Sequence, residues 1–142
     1  MRFYGVVTLL LTTVFLINVE CKLSVPQLKG MIAKLKGSCL KKTGASEEFL
    51  ASAHEGNFID DQNFACFQKC VFQMMNVLKN DRIQEAVLTK HINTMIEPDI
   101  APILKDMVHE CIAEASDEDD CMAALHFVRC WYHKNPEMYI FP

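Results

Sequence analysis

Apolar and polar residues recur along most of this chain with the spacing of an α-helix, about 3.6 residues, and no stretch alternates as a strand would. The clearest case begins at Asp99 or Ile100 and ends near Ala115. Ile100, Ile103, Leu104, Met107, Val108, Cys111 and Ile112 fall on one stripe, with Lys105, Asp106, His109, Glu110 and Glu114 opposite. Pro102 suits its first turn, where a missing N–H costs nothing. Five more helices are predicted. The first covers Pro26 to Lys42, capped by Ser24, followed by Gly44 and able to bend at Gly37-Ser38. The second spans Glu47 to His54, capped by Ser46 and stopped at Gly56. The third runs from Asp61 to Leu78. The fourth covers Arg82 to Ile92 behind Asp81. The sixth covers Glu118 to His133, capped by Ser116 or Asp117, with Met122, Leu125, Phe127 and Val128 on its apolar face. An extended tail, residues 135–142, follows. The expected fold is all-α, a compact bundle of about six helices.

The first 21 residues read differently. Arg2 precedes an apolar run from Val6 to Ile17, too short to span a bilayer comfortably, and Cys21 is a small residue at the expected cut. Residues 1–21 are therefore expected to be a secretion signal and residues 22–142 a single extracellular domain. Removing Cys21 leaves six of the seven cysteines, a number that can pair completely. The formal net charge of −4 argues against a nucleic-acid partner. Lys34, Lys36, Lys41 and Lys42 read as a solvated helix face.

Catalytic and metal-binding chemistry find little support. No His-Asp dipeptide or glycine-rich calcium loop is present. His54-Glu55 and His109-Glu110 each lack the second histidine of a zinc-protease helix. The acidic run at 117–120 reads as a helix first turn. There is no C-x-x-C, so no metal, no cofactor and no enzymatic activity are expected.

The cysteines stand at 39, 66, 70, 111, 121 and 130, spaced C-x26-C-x3-C-x40-C-x9-C-x8-C. Six cysteines allow about fifteen pairings. Cys121 and Cys130 cannot bond, because on one helix they point to opposite sides ~13.5 Å apart. Cys66 and Cys70 share a face and more naturally reach two other helices. The set tying most elements together is Cys39–Cys70, Cys66–Cys121 and Cys111–Cys130; geometry favours it without excluding the others.

Taken with the signal, size and helical pattern, this frame resembles the six-cysteine odorant-binding proteins of insects, including the pheromone-binding ones. The most specific match is Cys66-x3-Cys70 with Cys111-x9-Cys121-x8-Cys130. The ending Cys130-Trp131-Tyr132-His133-Lys134-Asn135-Pro136, then Met138-Tyr139-Ile140-Phe141-Pro142, resembles members whose short aromatic tail folds over a cavity mouth. The resemblance implies the interleaved pairing and helices around an apolar cavity. It further implies a carrier of small hydrophobic volatile molecules, odorants or pheromones, in sensory fluid, delivering to an odorant receptor at the neuron surface. Dimers occur in that family. The rival reading is a secreted helical interaction or signalling protein with a filled core.

Binding would be partition. A ligand covering ~300 Å² of apolar surface gains roughly 7 kcal/mol before association costs, which suggests micromolar affinity. The candidate wall is Met74, Leu78, Val87, Leu88, Met95, Leu104, Met107, Val108, Phe127, Trp131, Tyr139 and Phe141. Tyr132 or Tyr139 would offer a hydroxyl to a polar ligand group. His91, His109, His126 and His133 are candidates for a pH-sensitive latch on the tail, since an unperturbed imidazole titrates near pH ~6.5.

Overall fold

A computed structural model describes residues 22–142. The proposed signal, residues 1–21, lies outside the described residues. Seven α-helices follow in order: α1 Val25–Ala33, α2 Lys36–Thr43, α3 Glu47–His54, α4 Gln62–Met74, α5 Glu85–Met95, α6 Ala101–Cys111 and α7 Asp120–Lys134. A single 3-10 turn, Pro136–Met138, leads into the tail. The fold is all-α.

Short polar side chains start several helices. Ser46 Oγ accepts from Glu48 N–H at 3.2 Å, and Asp61 Oδ1 accepts from Phe64 N–H at 2.9 Å. Ser24 begins α1, its N–H donating to Gln27 Oε1 at 2.9 Å. Asp119, rather than Ser116 or Asp117, caps α7 through the N–H groups of Cys121 and Met122 at 2.8 and 2.9 Å. These bonds, with Gln62 Nε2 at 3.0 Å, hold the Asp119 carboxyl below its ordinary value.

Several boundaries depart from the periodic pattern. The first predicted helix is two helices, broken at Lys34-Leu35 rather than bent at Gly37-Ser38. Gly44 ends α2 in the left-handed conformation (φ 67°). The third predicted helix stops at Met74 because Asn76 turns the chain at φ 55°. Leu78 therefore belongs to an antiparallel hairpin, β1 Leu78–Lys79 with β2 Arg82–Ile83, that periodicity alone did not suggest. Asn80 and Asp81 both take positive φ, 50° and 60°, as a tight two-residue hairpin turn requires. Asp81 is thus a turn residue, and α5 starts at Glu85. Arg82 and Lys69 anchor the hairpin: Arg82 Nε lies 3.0 Å from Asp120, and Lys69 lies 3.1 Å from Asp81 and 3.6 Å from Asp120. On α6, Ile103 is exposed rather than buried.

The packed centre lies where α4 runs along α7, with Phe64, Phe67, Phe72, Leu125 and Phe127 fully buried. Phe72 meets Phe127 edge-on, ring centres 5.5 Å apart. Three disulfides staple this region: Cys39–Cys70 joins α2 to α4, Cys66–Cys121 joins α4 to α7, and Cys111–Cys130 joins α6 to α7.

Candidate functional site: an apolar cavity

One cavity of about 280 Å³ lies beside the packed centre. Helix α1 and the break after it contribute Leu28, Met31, Ile32 and Leu35. The end of α4 and the following turn contribute Phe72, Met74 and Met75. Helix α5 and its C-terminal neighbour contribute Leu88, His91, Ile92, Met95 and Ile96. Leu104 comes from α6, Phe127 and Trp131 from α7, and Ile140 and Phe141 from the tail. An apolar void of about 150 Å³ already admits benzene, so this one has room for a larger molecule. Met31 and Met74, 41% and 38% exposed, mark the side open to solvent. Four methionines on the wall let it adapt to ligands of different outline.

The tail is pinned as part of this wall. The indole N–H of Trp131 donates to the Met138 carbonyl at 2.8 Å, and Lys29 Nζ donates to the Glu137 carbonyl at 2.9 Å. Phe141 packs edge-on against Trp131 and Phe72, ring centres 5.8 and 5.4 Å away. Tyr139, Ile140 and Phe141 are all buried.

Of the residues proposed from sequence, Met74, Leu88, Met95, Leu104, Phe127, Trp131 and Phe141 meet around the cavity. The others stand elsewhere. Leu78 lies on the hairpin, outside. Val87 is half-buried on α5 beside the wall residue Leu88. Met107 and Val108 are buried in the packed core, one turn beyond Leu104, where α6 turns toward its disulfide partner α7. Tyr139 does not line the cavity; it packs behind the wall residue Phe141, ring centres 5.7 Å apart, in an aromatic cluster with His54, Tyr132 and Phe58 at 5.2, 5.3 and 6.2 Å. Burial among these rings raises its hydroxyl pKa. Gly56 (φ 88°) belongs to the same neighbourhood; a Cβ there would come within 2.7 Å of the Tyr132 ring.

Neither tyrosine is among the lining residues: Tyr132 donates to the His54 carbonyl at 3.4 Å, and the Tyr139 hydroxyl is buried without a hydrogen-bond partner. Among the latch candidates, His109 pairs with Glu85 at 2.9 Å and His126 stands 3.8 Å from Asp117. His133 is exposed and packs on Phe58 and Tyr132. His91 lines the cavity. The histidine that touches the tail is His54, which sequence reasoning passed over.

Sequence reasoning also missed the α1 wall. Leu28, Met31, Ile32 and Leu35 recur at helical spacing, a stripe visible in the chain but without any sign of what it faces. Among the described residues, no helix is long and apolar enough to cross a membrane.

The PBP/GOBP family matches residues 21–134. General odorant-binding protein 72 of Anopheles gambiae is 26% identical over 117 residues, covering 82% of this chain and 96% of that protein. The solved Apis mellifera odorant binding protein 5 superposes with a TM-score of 0.75 at 28% identity, covering 85% of this chain and 99% of that one. Odorant binding protein 4 of Chrysopa pallens gives 0.74 at 28% identity, covering 84% and 99%. With its helices, disulfides and cavity, the chain belongs to the PBP/GOBP family, the insect odorant-binding proteins, which are binding carriers rather than enzymes.

Proposed function

We propose that the protein is a secreted carrier that takes small hydrophobic molecules, odorants or pheromones, into this cavity and moves them through aqueous fluid to a receptor at the neuron surface. The observation that carries this reading is the apolar cavity of about 280 Å³. Well-packed cores leave few voids larger than a water molecule, because each costs stability. A void of this size lined by hydrocarbon and thioether groups is expected in a binder, and it disfavours a signalling protein with a filled core.

The mechanism is transfer of apolar surface out of water. A ligand enters on the Met31 and Met74 side and meets Leu28, Ile32, Leu88 and Ile92 on the facing helices. Trp131, Ile140 and Phe141 form a buried part of the wall, and the tail acts as a lid held by the two hydrogen bonds to its backbone. No bond is made or broken, and release requires only that the wall reopen.

The test fills the void. Ile92→Trp puts an indole into the cavity without touching a disulfide or a cap. Titration with the fluorescent probe N-phenylnaphthylamine should saturate at one probe per wild-type chain. The variant should lose at least ten-fold in affinity while keeping its melting temperature, since occupied void no longer needs a ligand. Undiminished probe binding by Ile92→Trp, or no binding by wild type, would place ligand binding elsewhere or nowhere.

A further inference from the structure

Helix α5 turns a stripe toward the cavity: Leu88, His91, Ile92 and Met95, at i, i+3, i+4 and i+7. Three of the four are what an apolar wall needs. The imidazole of His91 stands where the periodic pattern calls for another leucine or isoleucine. A departure of this kind from local pattern is where function is expected to show.

The rest of the wall sharpens the point. Only one other lining side chain carries nitrogen or oxygen, Trp131, and its N–H is already committed to the Met138 carbonyl at 2.8 Å. The remaining lining residues are hydrocarbon or thioether. His109 and His126 both lie near carboxylates, but the His91 ring makes no hydrogen bond or ion pair with any described residue. It is half-buried at the wall. Gln68 also carries unpartnered polar atoms, fully buried on α4 one turn before Phe72, yet it is not part of the wall.

We infer that His91 is the cavity's point of polar recognition, so that the site favours apolar molecules bearing one hydrogen-bonding oxygen over hydrocarbons of equal length. The inference rests on the carrier reading above. A neutral imidazole presents one N–H and one lone pair. It can donate to the carbonyl of an aldehyde or ketone, and it can accept from the hydroxyl of an alcohol. In a wall otherwise without polar side-chain partners, an oxygen that misses His91 is left unpaired, and that penalty generates the selectivity. A carboxylate is disfavoured, because no Lys or Arg lines the cavity to receive it.

The experiment displaces N-phenylnaphthylamine with decane, decanol and decanal from the wild-type protein, His91→Leu and His91→Gln. In His91→Leu the ratio of decanol to decane affinity should fall about five-fold, and the decanal ratio likewise. His91→Gln, which keeps a donor and an acceptor, should recover most of the preference. Equal weakening of all three ligands by His91→Leu would make His91 a packing residue and overturn the inference, as would an unchanged ratio. Loss of preference in His91→Gln equal to that in His91→Leu would also overturn it. Failure of wild type to bind the probe and all three ligands would instead remove the carrier reading on which this stands.

Discussion

Helices α2, α4, α6 and α7 carry all six paired cysteines, whereas α1, α5 and the tail, which supply most of the cavity wall, carry none. The first group is a solid frame: its aromatic residues interlock and its helices are bonded together. The second is held by weaker means. A parallel bridge pairs Leu23 with Ile96, the hairpin ties the start of α5 to α7 through Arg82, and two hydrogen bonds pin the tail. The frame reaches the cavity's edge where Cys39 Sγ lies 3.5 Å from Met74 Sδ, a sulfur contact in which neither atom bears a proton. The contrast teaches how a small domain tolerates a void. Constraint of the unfolded chain by disulfides offsets the packing that the cavity forgoes, and the bonds are kept off the elements that supply most of the wall.

The contrast can be tested by truncation on each side. Phe67, fully buried in the frame, should cost about 3–5 kcal/mol when changed to alanine. Met95→Ala on the wall should cost under about 1.5 kcal/mol, since a side chain facing a void has already lost contacts on that side. Equal losses in urea denaturation would mean the two regions are packed alike. Next in size is the Cys66–Cys121 staple, which spans 55 residues of chain. Changing both to serine should lower stability by about 2–5 kcal/mol yet leave probe binding intact well below the midpoint. Binding lost in step with the bond would show that the wall depends on the frame more directly than proposed.

The smallest effect concerns pH and the tail. His54 packs edge-on against Tyr139. Partial burial, then the nearby charges of Lys36 and Lys29, lower its pKa below 6.5. The unfolded chain therefore binds the proton more readily. The stability contributed by the neutral ring is complete above about pH 6.5 and lost as pH falls through the lowered folded value. His109 works in the opposite sense: its hydrogen bond to the Glu85 carboxylate raises its pKa, so its contribution is present below 6.5 and lost as pH rises through the raised value. His109 is exposed and His54 only partly shielded from solvent, so each effect is small. Protection factors of the Ile140 and Phe141 amides, corrected for the intrinsic pH dependence of exchange, should fall between about pH 7 and about pH 5 in the wild type and less so in His54→Gln. Identical profiles would remove His54 from the tail's balance.

Much of the frame can be read along the chain. Helices leave a local signature, and Cys66-x3-Cys70 places two thiols on one face of one helix whatever surrounds it. The break at Lys34-Leu35 and the hairpin at Asn80-Asp81 were not legible, because each answers to packing and turn geometry rather than to periodicity. At the site, an apolar stripe announces burial but not against what. Leu104, Met107 and Val108 look equivalent in sequence, yet only Leu104 faces the void.

Nearest-neighbour chemistry was enough for the class of fold and the helical stretches, because each depends on residues within a few turns of one another, and the cysteine spacing that carries the family resemblance is written in the chain itself. Which side chains border empty space depended on how elements far apart in the chain come to rest. The cavity draws on residues from Leu28 to Phe141, and a void is defined by what fails to meet across it. No local pattern records that, which is why His91 and the α1 wall emerged only once the helices were seen together.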